Sequence, residues 1–141
     1  MSSSKGLELV KAIVERSLRL NSFDAACLKG MKFLSAGDGQ CKAEFIVGDE
    51  HLNSAGTLHG GCSATIIDCI SSYALMTKSG FPGVSVDLNV SFLKSAVPGE
   101  VITVDAKTVK AGRTLAFLEV EMFKKGGAIV ARGQHTKFIG S

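Results

Sequence analysis

The stretch His59-Gly-Gly-Cys-Ser-Ala-Thr-Ile-Ile-Asp68, continued by Cys69-Ile-Ser-Ser-Tyr-Ala-Leu-Met76, decides how the chain folds. A glycine pair opens it. Cys62, Ile66, Cys69, Ile70, Tyr73 and Met76 then recur at helical spacing, which predicts a helix with one apolar face from residue 60 to about 77. Thr65, Asp68, Ser71 and Ser72 form a small polar stripe opposite that face. Asp68 is the one acid in the run. Charged side chains are rarely buried unless paired or put to use, so Asp68 is either the wet edge of this helix or a working group. Lys78-Ser-Gly-Phe-Pro-Gly83 ends the helix, because Gly and Pro continue it only at a cost.

Downstream the period switches to two. Val84, Val86, Leu88, Val90 and Phe92 alternate with Ser85, Asp87, Asn89 and Ser91, which predicts a strand over 84–92 that buries one face. Pro98-Gly99, Gly112-Arg113 and Gly126-Gly127 are turn signals separating strands predicted over 101–109, 115–123 and 128–138. Four consecutive strands with short glycine tips predict an antiparallel meander. Upstream, Leu7, Val10, Ile13, Val14 and Leu18 predict a surface helix over about 5–20. Leu28 to Ala36 and Cys41 to Val47, joined by Gly37-Asp-Gly39, predict a hairpin.

The order of helix, two strands, central helix and four strands is that of an α+β protein. An antiparallel sheet must cover its open face, and the 60–77 helix is the long element able to do it. The expectation is a sheet wrapped around one helix, preceded by an N-terminal helix, in a single domain spanning 1–141. Open sheet edges favour association of copies.

Composition narrows the function. The chain is 45% hydrophobic and 21% charged, as ordinary globular domains are. Its net charge of +3 is unclustered and not interleaved with aromatic residues, so a small anionic ligand suits it better than nucleic acid. No run of 18 apolar residues is present, and no membrane span is expected. Met1-Ser-Ser-Ser-Lys-Gly6 has no apolar leader core, so the expected location is the cytoplasm or the mitochondrion. Cys27, Cys41, Cys62 and Cys69 follow no zinc-ligand spacing. Cys62 and Cys69 lie roughly 10 Å apart along one helix, beyond disulfide reach. The four read as buried thiols in a reducing compartment, and neither a metal nor another cofactor is expected.

Several motif fragments fail on inspection. Gly61-Cys-Ser63-Ala-Thr65 lacks the closing glycine of a nucleophile elbow, and Gly37-Asp-Gly39 is half a dinucleotide fingerprint that a hairpin turn explains. Gly60-Gly61 is more informative, because a helix N-terminus offers unpaired N–H groups to an anion or a polarised carbonyl; a plain loop-to-helix junction is the other reading. His59 is a base or a cap. Asn53 is a loop amide of the turn-forming kind, Ser85 is one of several polar positions on an alternating strand, and His51 and His135 have no partner visible in sequence. Lys107, Lys110, Arg113, Lys124, Lys125, Arg132 and Lys137 make the later strands basic: a solvated face, or one that holds a phosphate-bearing ligand. Gly60 and Asp68 are separated by roughly 12 Å along one helix. That is too far for both to serve one reacting carbonyl, so their cooperation requires two chains.

Asn53-Ser-Ala-Gly-Thr-Leu-His-Gly-Gly61, Asp68 and Pro82-Gly-Val-Ser-Val-Asp-Leu-Asn89 together resemble the hotdog-fold acyl-CoA thioesterases of the thioesterase superfamily member 2 type, relatives of the phenylacetyl-CoA thioesterase group. The similarity continues through Gly112-Arg-Thr-Leu-Ala-Phe117 and Gln134-His-Thr-Lys137. It implies hydrolysis of medium to long-chain acyl-CoA, with Asp68 activating water, Ser85 helping to hold it, and Asn53 and the Gly60 N–H of another subunit polarising the carbonyl. His59 would support that loop. Gly61, Val84 and Val86 would line the substrate site, and Lys110, Arg113 or Lys137 would meet coenzyme A phosphates. It further implies a homodimer, assembled as a dimer of dimers. Two rival functions are an acyl-CoA hydratase or dehydratase using His59 as base, and a non-catalytic acyl-CoA binding protein.

Overall fold

In the computed structural model, which describes residues 1–140, the run opened by Gly60-Gly61 is a helix of 20 residues, α3 (Gly60–Ser79). His59 caps its start and Gly80, at φ 86°, takes the left-handed position that ends it. Ile66, Ile67, Ile70 and Leu75 are fully buried, each contributing ~1.5–3 kcal/mol over an exposed position. The polar stripe opposite the apolar face is solvated only in part. Ser71 and Ser72 are buried, and Thr65 and Asp68 keep partial exposure. The helix is enclosed on more sides than its apolar periodicity indicates, because hydroxyls can be buried where partners await them.

Before it come α1 (Ser3–Leu20), α2 (Ala25–Leu28), β1 (Lys32–Gly37) and β2 (Gln40–Ile46); after it come β3 (Val84–Phe92), β4 (Val101–Ala111), β5 (Leu115–Lys124) and β6 (Ile129–Phe138). The first strand starts later than predicted. Residues 25–28 form a helical turn instead, and Gly30, at φ 79°, supplies the left-handed step into β1. All six strands form one antiparallel sheet in the order β1-β2-β4-β5-β6-β3. The expected four-strand meander is therefore a three-strand one, β4-β5-β6. The segment after β3 crosses the sheet, with Leu58 N–H bonded to Ala96 O and Gly99 N–H to Val47 O, and so puts β3 on the far edge beside β6.

Edge placement also changes the burial of β3. The strand was expected to bury one face, but Val84, Val86 and Phe92 are more than half exposed in the single chain, where β3 has a neighbouring strand on one side only. A β-bulge at Val86 adds a second departure. Ser85 stands opposite Lys137, but Asp87 stands opposite Thr136 and Leu88 opposite His135. Cross-strand partners share a face, so Ser85 joins Leu88 and Val90 on the helix side, and Val84, opposite Phe138, faces away.

The helix meets β6 at Gly133. A β-carbon there would come within 2.7 Å of Ile67 Cγ2, so the bare backbone is what lets α3 lie this close. Gly133→Ala is expected to destabilise the fold by ~1–3 kcal/mol. In a double-mutant cycle with Ile67→Ala, urea denaturation should give a combined loss smaller than the sum of the two single losses.

Candidate active site

The loop before α3 is built from its own hydrogen bonds. Asn53 Oδ1 accepts from Ala55 N–H and Thr57 N–H at 3.0 and 3.1 Å, and Nδ2 donates to Thr57 Oγ1 at 2.9 Å. Most of this amide is thus spent on turn formation, leaving one N–H of Nδ2 to point elsewhere. Buried His51 accepts the Gly48 N–H on Nδ1 at 3.0 Å and stacks edge-on against Phe45, and its carbonyl takes the His59 N–H at 2.8 Å. The loop is thereby delivered to the helix start in a fixed orientation. His59 itself is exposed and its Nδ1 accepts the Gly61 N–H at 2.8 Å, which is the capping role.

That cap decides which amide is available. Gly61 N–H is occupied, whereas Gly60 N–H has no hydrogen-bond partner among the described residues. Gly60 borders a cleft of about 340 Å³ lined by Leu58, Ser63, Phe92, Lys94 and Ala96. A ligand carbonyl in this cleft would meet both the free N–H and the positive end of α3.

Asp68 lies two turns further along, with its side chain 49% exposed. Its main-chain carbonyl accepts two hydroxyls, Ser71 Oγ at 3.1 Å and Ser72 Oγ at 2.8 Å. Behind them stand two buried basic groups of β6. His135 Nδ1 is 2.8 Å from Ser71 Oγ, and Lys137 Nζ donates to Ser72 Oγ at 2.6 Å. His135 Nε2 is 2.7 Å from Ser85 Oγ and 3.9 Å from Asp68 Oδ1.

Burial pushes His135 below the ordinary histidine range, outweighing the opposing pull of the Asp68 charge, so the ring is neutral at pH 7. The hydrogen bonds then assign its tautomer. Ser71 has one hydroxyl proton, which goes to the Asp68 carbonyl, so His135 Nδ1–H donates to Ser71 Oγ. Nε2 is left as an acceptor for the Ser85 hydroxyl. Ser85 Oγ therefore turns its lone pairs outward, toward a position shared with the Asp68 carboxylate. A water between two acceptors directs both protons at them and its own lone pair away.

Of the residues named from sequence, the structure brings Asp68 and Ser85 together around His135 and gathers Asn53, His59, Gly60 and Gly61 at the opposite end of α3. Val84 does not share the inward face of β3, because the bulge reverses the phase before it, and Val86 is the unpaired residue of that bulge. Lys110 and Arg113 are exposed near the β4–β5 turn. Lys137 is not on the basic surface where it was expected. It is 4% exposed, since its position alternates with outward Arg132, Gln134 and Thr136 into the same phase as Gly133 and His135. Ser71, Ser72 and His135 were not singled out from sequence. The inward phase of a strand carrying His and Lys was the available signal.

The chain has relatives of known family and fold. Residues 55–131 match the thioesterase superfamily. The chain is 39% identical to human acyl-coenzyme A thioesterase 13, over 94% of this chain and 95% of that protein. The crystal structure of zebra fish thioesterase superfamily member 2 superimposes with a TM-score of 0.90 at 42% identity, covering 95% of this chain and 98% of the other. A hypothetical thioesterase protein from Streptococcus pneumoniae TIGR4, solved with coenzyme A, gives 0.79 at 26% identity over 84% and 93%. This chain belongs to the thioesterase superfamily. It is a hotdog-fold thioesterase.

The two neutral histidines carry a pH dependence. His51 and His135 are both lowered from 6.5, chiefly by burial. Below about pH 6.5 the unfolded chain binds more protons than the folded one, so the stability gained by burying neutral rings is complete above that pH and is lost as pH falls through the folded values. The urea midpoint is expected to drop on acidification from about pH 7.5 to about pH 5.5, with a flatter dependence in His135→Gln.

Proposed function

We propose that this protein hydrolyses acyl-coenzyme A thioesters of medium to long chain length to a free acid and coenzyme A, with each active site shared between two subunits. The observation that carries this reading is the pair of acceptors beside neutral His135: Ser85 Oγ, bonded to Nε2 at 2.7 Å, and the Asp68 carboxylate, 3.9 Å from the same nitrogen. Two acceptors facing one position suit a water, which has two protons to give. A relative of 39% identity named as an acyl-coenzyme A thioesterase supports the substrate class, as does a structural neighbour solved with coenzyme A.

The chemistry needs few parts. A thioester carbonyl is electrophilic and a thiolate leaves readily, so a base, an oriented water and an oxyanion donor suffice. Asp68 takes a proton from the water as its oxygen bonds to the carbonyl carbon, and the carbonyl oxygen becomes an oxyanion facing the Gly60 N–H. The C–S bond then breaks, the oxyanion reforms a carbonyl, and the proton on Asp68 passes to the departing thiolate. The reading calls for no metal or other cofactor.

Gly60 and Asp68 stand roughly 12 Å apart on one rigid helix, so the oxyanion donor comes from a second copy. The unpaired edge of β3 and its exposed Val84, Val86 and Phe92 are the surface suited to such a pairing. In this reading the free N–H of Asn53 Nδ2 joins Gly60 at the carbonyl, and exposed Lys110 and Arg113 are the basic groups available to coenzyme A phosphates. His59 stays a cap, because its Nδ1 is already engaged, which leaves the hydratase reading without its base in position. The assembly is a homodimer or a dimer of dimers, in the cytoplasm or mitochondrion.

Asp68→Asn should lower kcat in a thiol-release assay by about 10²–10⁴-fold with little change in KM, and near wild-type turnover would sink the assignment. Gly60→Pro removes the oxyanion N–H at the first helical position, where proline is well tolerated. Each variant alone should be inactive. Mixed and reassociated, the two should regain activity, because one site per hybrid dimer contains both intact halves; no recovery would argue against the shared site.

A further inference from the structure

The hydrolysis described above leaves one buried amine behind the base without a task. Lys137 is the single buried lysine among the described residues. It lies on the helix side of β6, and its one hydrogen-bond partner among those residues is Ser72 Oγ, at 2.6 Å. Ser72 Oγ in turn donates to the Asp68 carbonyl at 2.8 Å. Enclosing an ammonium is unfavourable unless its charge is used, and a methionine would fill the same space without that penalty. The position is therefore better explained by charge than by packing.

We propose that Lys137 is a positioning residue for thioester hydrolysis, acting through Asp68: its ammonium is the fixed counter-charge that lets the Asp68 carboxylate be covered by bound acyl thioester and remain an anion able to take a proton from water. This rests on the reading of Asp68 as the base. In the single chain water reaches about half of the Asp68 side chain, 49% by area. A second subunit and an acyl chain remove that water, and an unpaired carboxylate covered in this way is strongly disfavoured.

Two basic groups stand behind Asp68, and only one can supply the charge. His135 is neutral and serves as the acceptor that orients Ser85. Lys137 starts from an amine value of 10.5 against 6.5 for histidine, so it has far more room to fall before it loses its proton. Burial lowers it, and the charge of Asp68 pulls it back up.

The other groups around Lys137 offer no competing countercharge at neutral pH. On α3 these are Ser72 and the thiol of Cys69, which burial pushes far above the ordinary cysteine range. On the strands they are Ser85 of β3 and Ala116 of β5, opposite Lys137 in register, with His135 on β6 itself. Asp87, past the bulge on β3, acts on His135. Because Nζ donates to Ser72 Oγ, the Ser72 proton is aimed at the Asp68 carbonyl, and the same contact that holds the charge holds the turn of helix bearing the base.

The test uses the full-length chain and compares Lys137→Met, Ser72→Ala and Asp68→Asn in background-corrected thiol release from acyl-CoA between about pH 6 and about pH 10. Lys137→Met should lose on the order of tenfold in kcat while KM changes by less than about threefold. The wild-type kcat profile should show a basic limb below the ordinary lysine range, as the counter-charge is lost. That limb should be absent from Lys137→Met and present in Ser72→Ala. A purely structural lysine predicts equal, modest losses in Lys137→Met and Ser72→Ala with the wild-type profile in both, and that result overturns the proposal. Should Lys137→Met fail to fold, the wild-type profile decides, and the lack of a basic limb below the lysine range rejects the role. An active Asp68→Asn removes the base itself, whereas an inactive Asp68→Asn beside a fully active Lys137→Met removes Lys137 alone.

Discussion

The arrangement depends on how closely α3 can approach β6. Ile67 packs against the bare backbone of Gly133, and this near approach carries the next turn of the helix down onto the strand. Ser71 and Ser72 then lie within hydrogen-bond distance of His135 and Lys137. With a side chain at Gly133 the helix would ride higher, and both buried basic groups would lose their partners at once. Packing and polar satisfaction are thus one constraint, because an interior at crystal-like density has no slack to absorb a displaced helix.

From that contact the site assembles in layers. The strand supplies basic side chains, the helix supplies hydroxyls that meet them, and both hydroxyls converge on the carbonyl of the residue that carries the carboxylate. Asp68 is therefore held through its main chain. Its exposed carboxylate is free to engage a ligand, while the backbone beneath it is fixed by buried bonds. Buried polar networks of this sort are costly when incomplete and rigid when complete, and here both serine hydroxyls are satisfied while Lys137 keeps donors to spare.

Much of this was legible in the sequence. The length and period of the 60–77 region announced a central helix, the glycine-tipped strands announced an antiparallel sheet, and the isolated Asp68 marked a place where chemistry was worth seeking. What stayed hidden was hidden for physical reasons. Alternation along 84–92 puts Ser85 on the same side as Asp87 and Asn89, but the bulge at Val86 reverses the phase and turns its hydroxyl to His135. No residue type in that strand advertises a bulge. Lys137 read as one more cation on a basic face, since a buried lysine and a solvated one look alike until the strand's neighbours are known. The place of β3 in the sheet was likewise lost, because short turns suggested a meander and the chain instead crosses the sheet after Phe92.

The edge position of β3 gives the molecule an uneven mechanical character. β4, β5 and β6 each have a strand on both sides and α3 above them, whereas β3 is hydrogen-bonded on one side and lies mostly outside the cover of the helix. Local opening is easiest where few buried contacts are lost, so in an isolated chain backbone amides should exchange with solvent more readily along β3 than near the middle of the sheet. Ser85 sits on that edge strand, and its hydroxyl is tied to the interior strand β6 by a single bond to His135. The proposed water position thus spans a strand inside the sheet and one at its edge, and whatever stiffens the β3 edge would also sharpen the aim of the site.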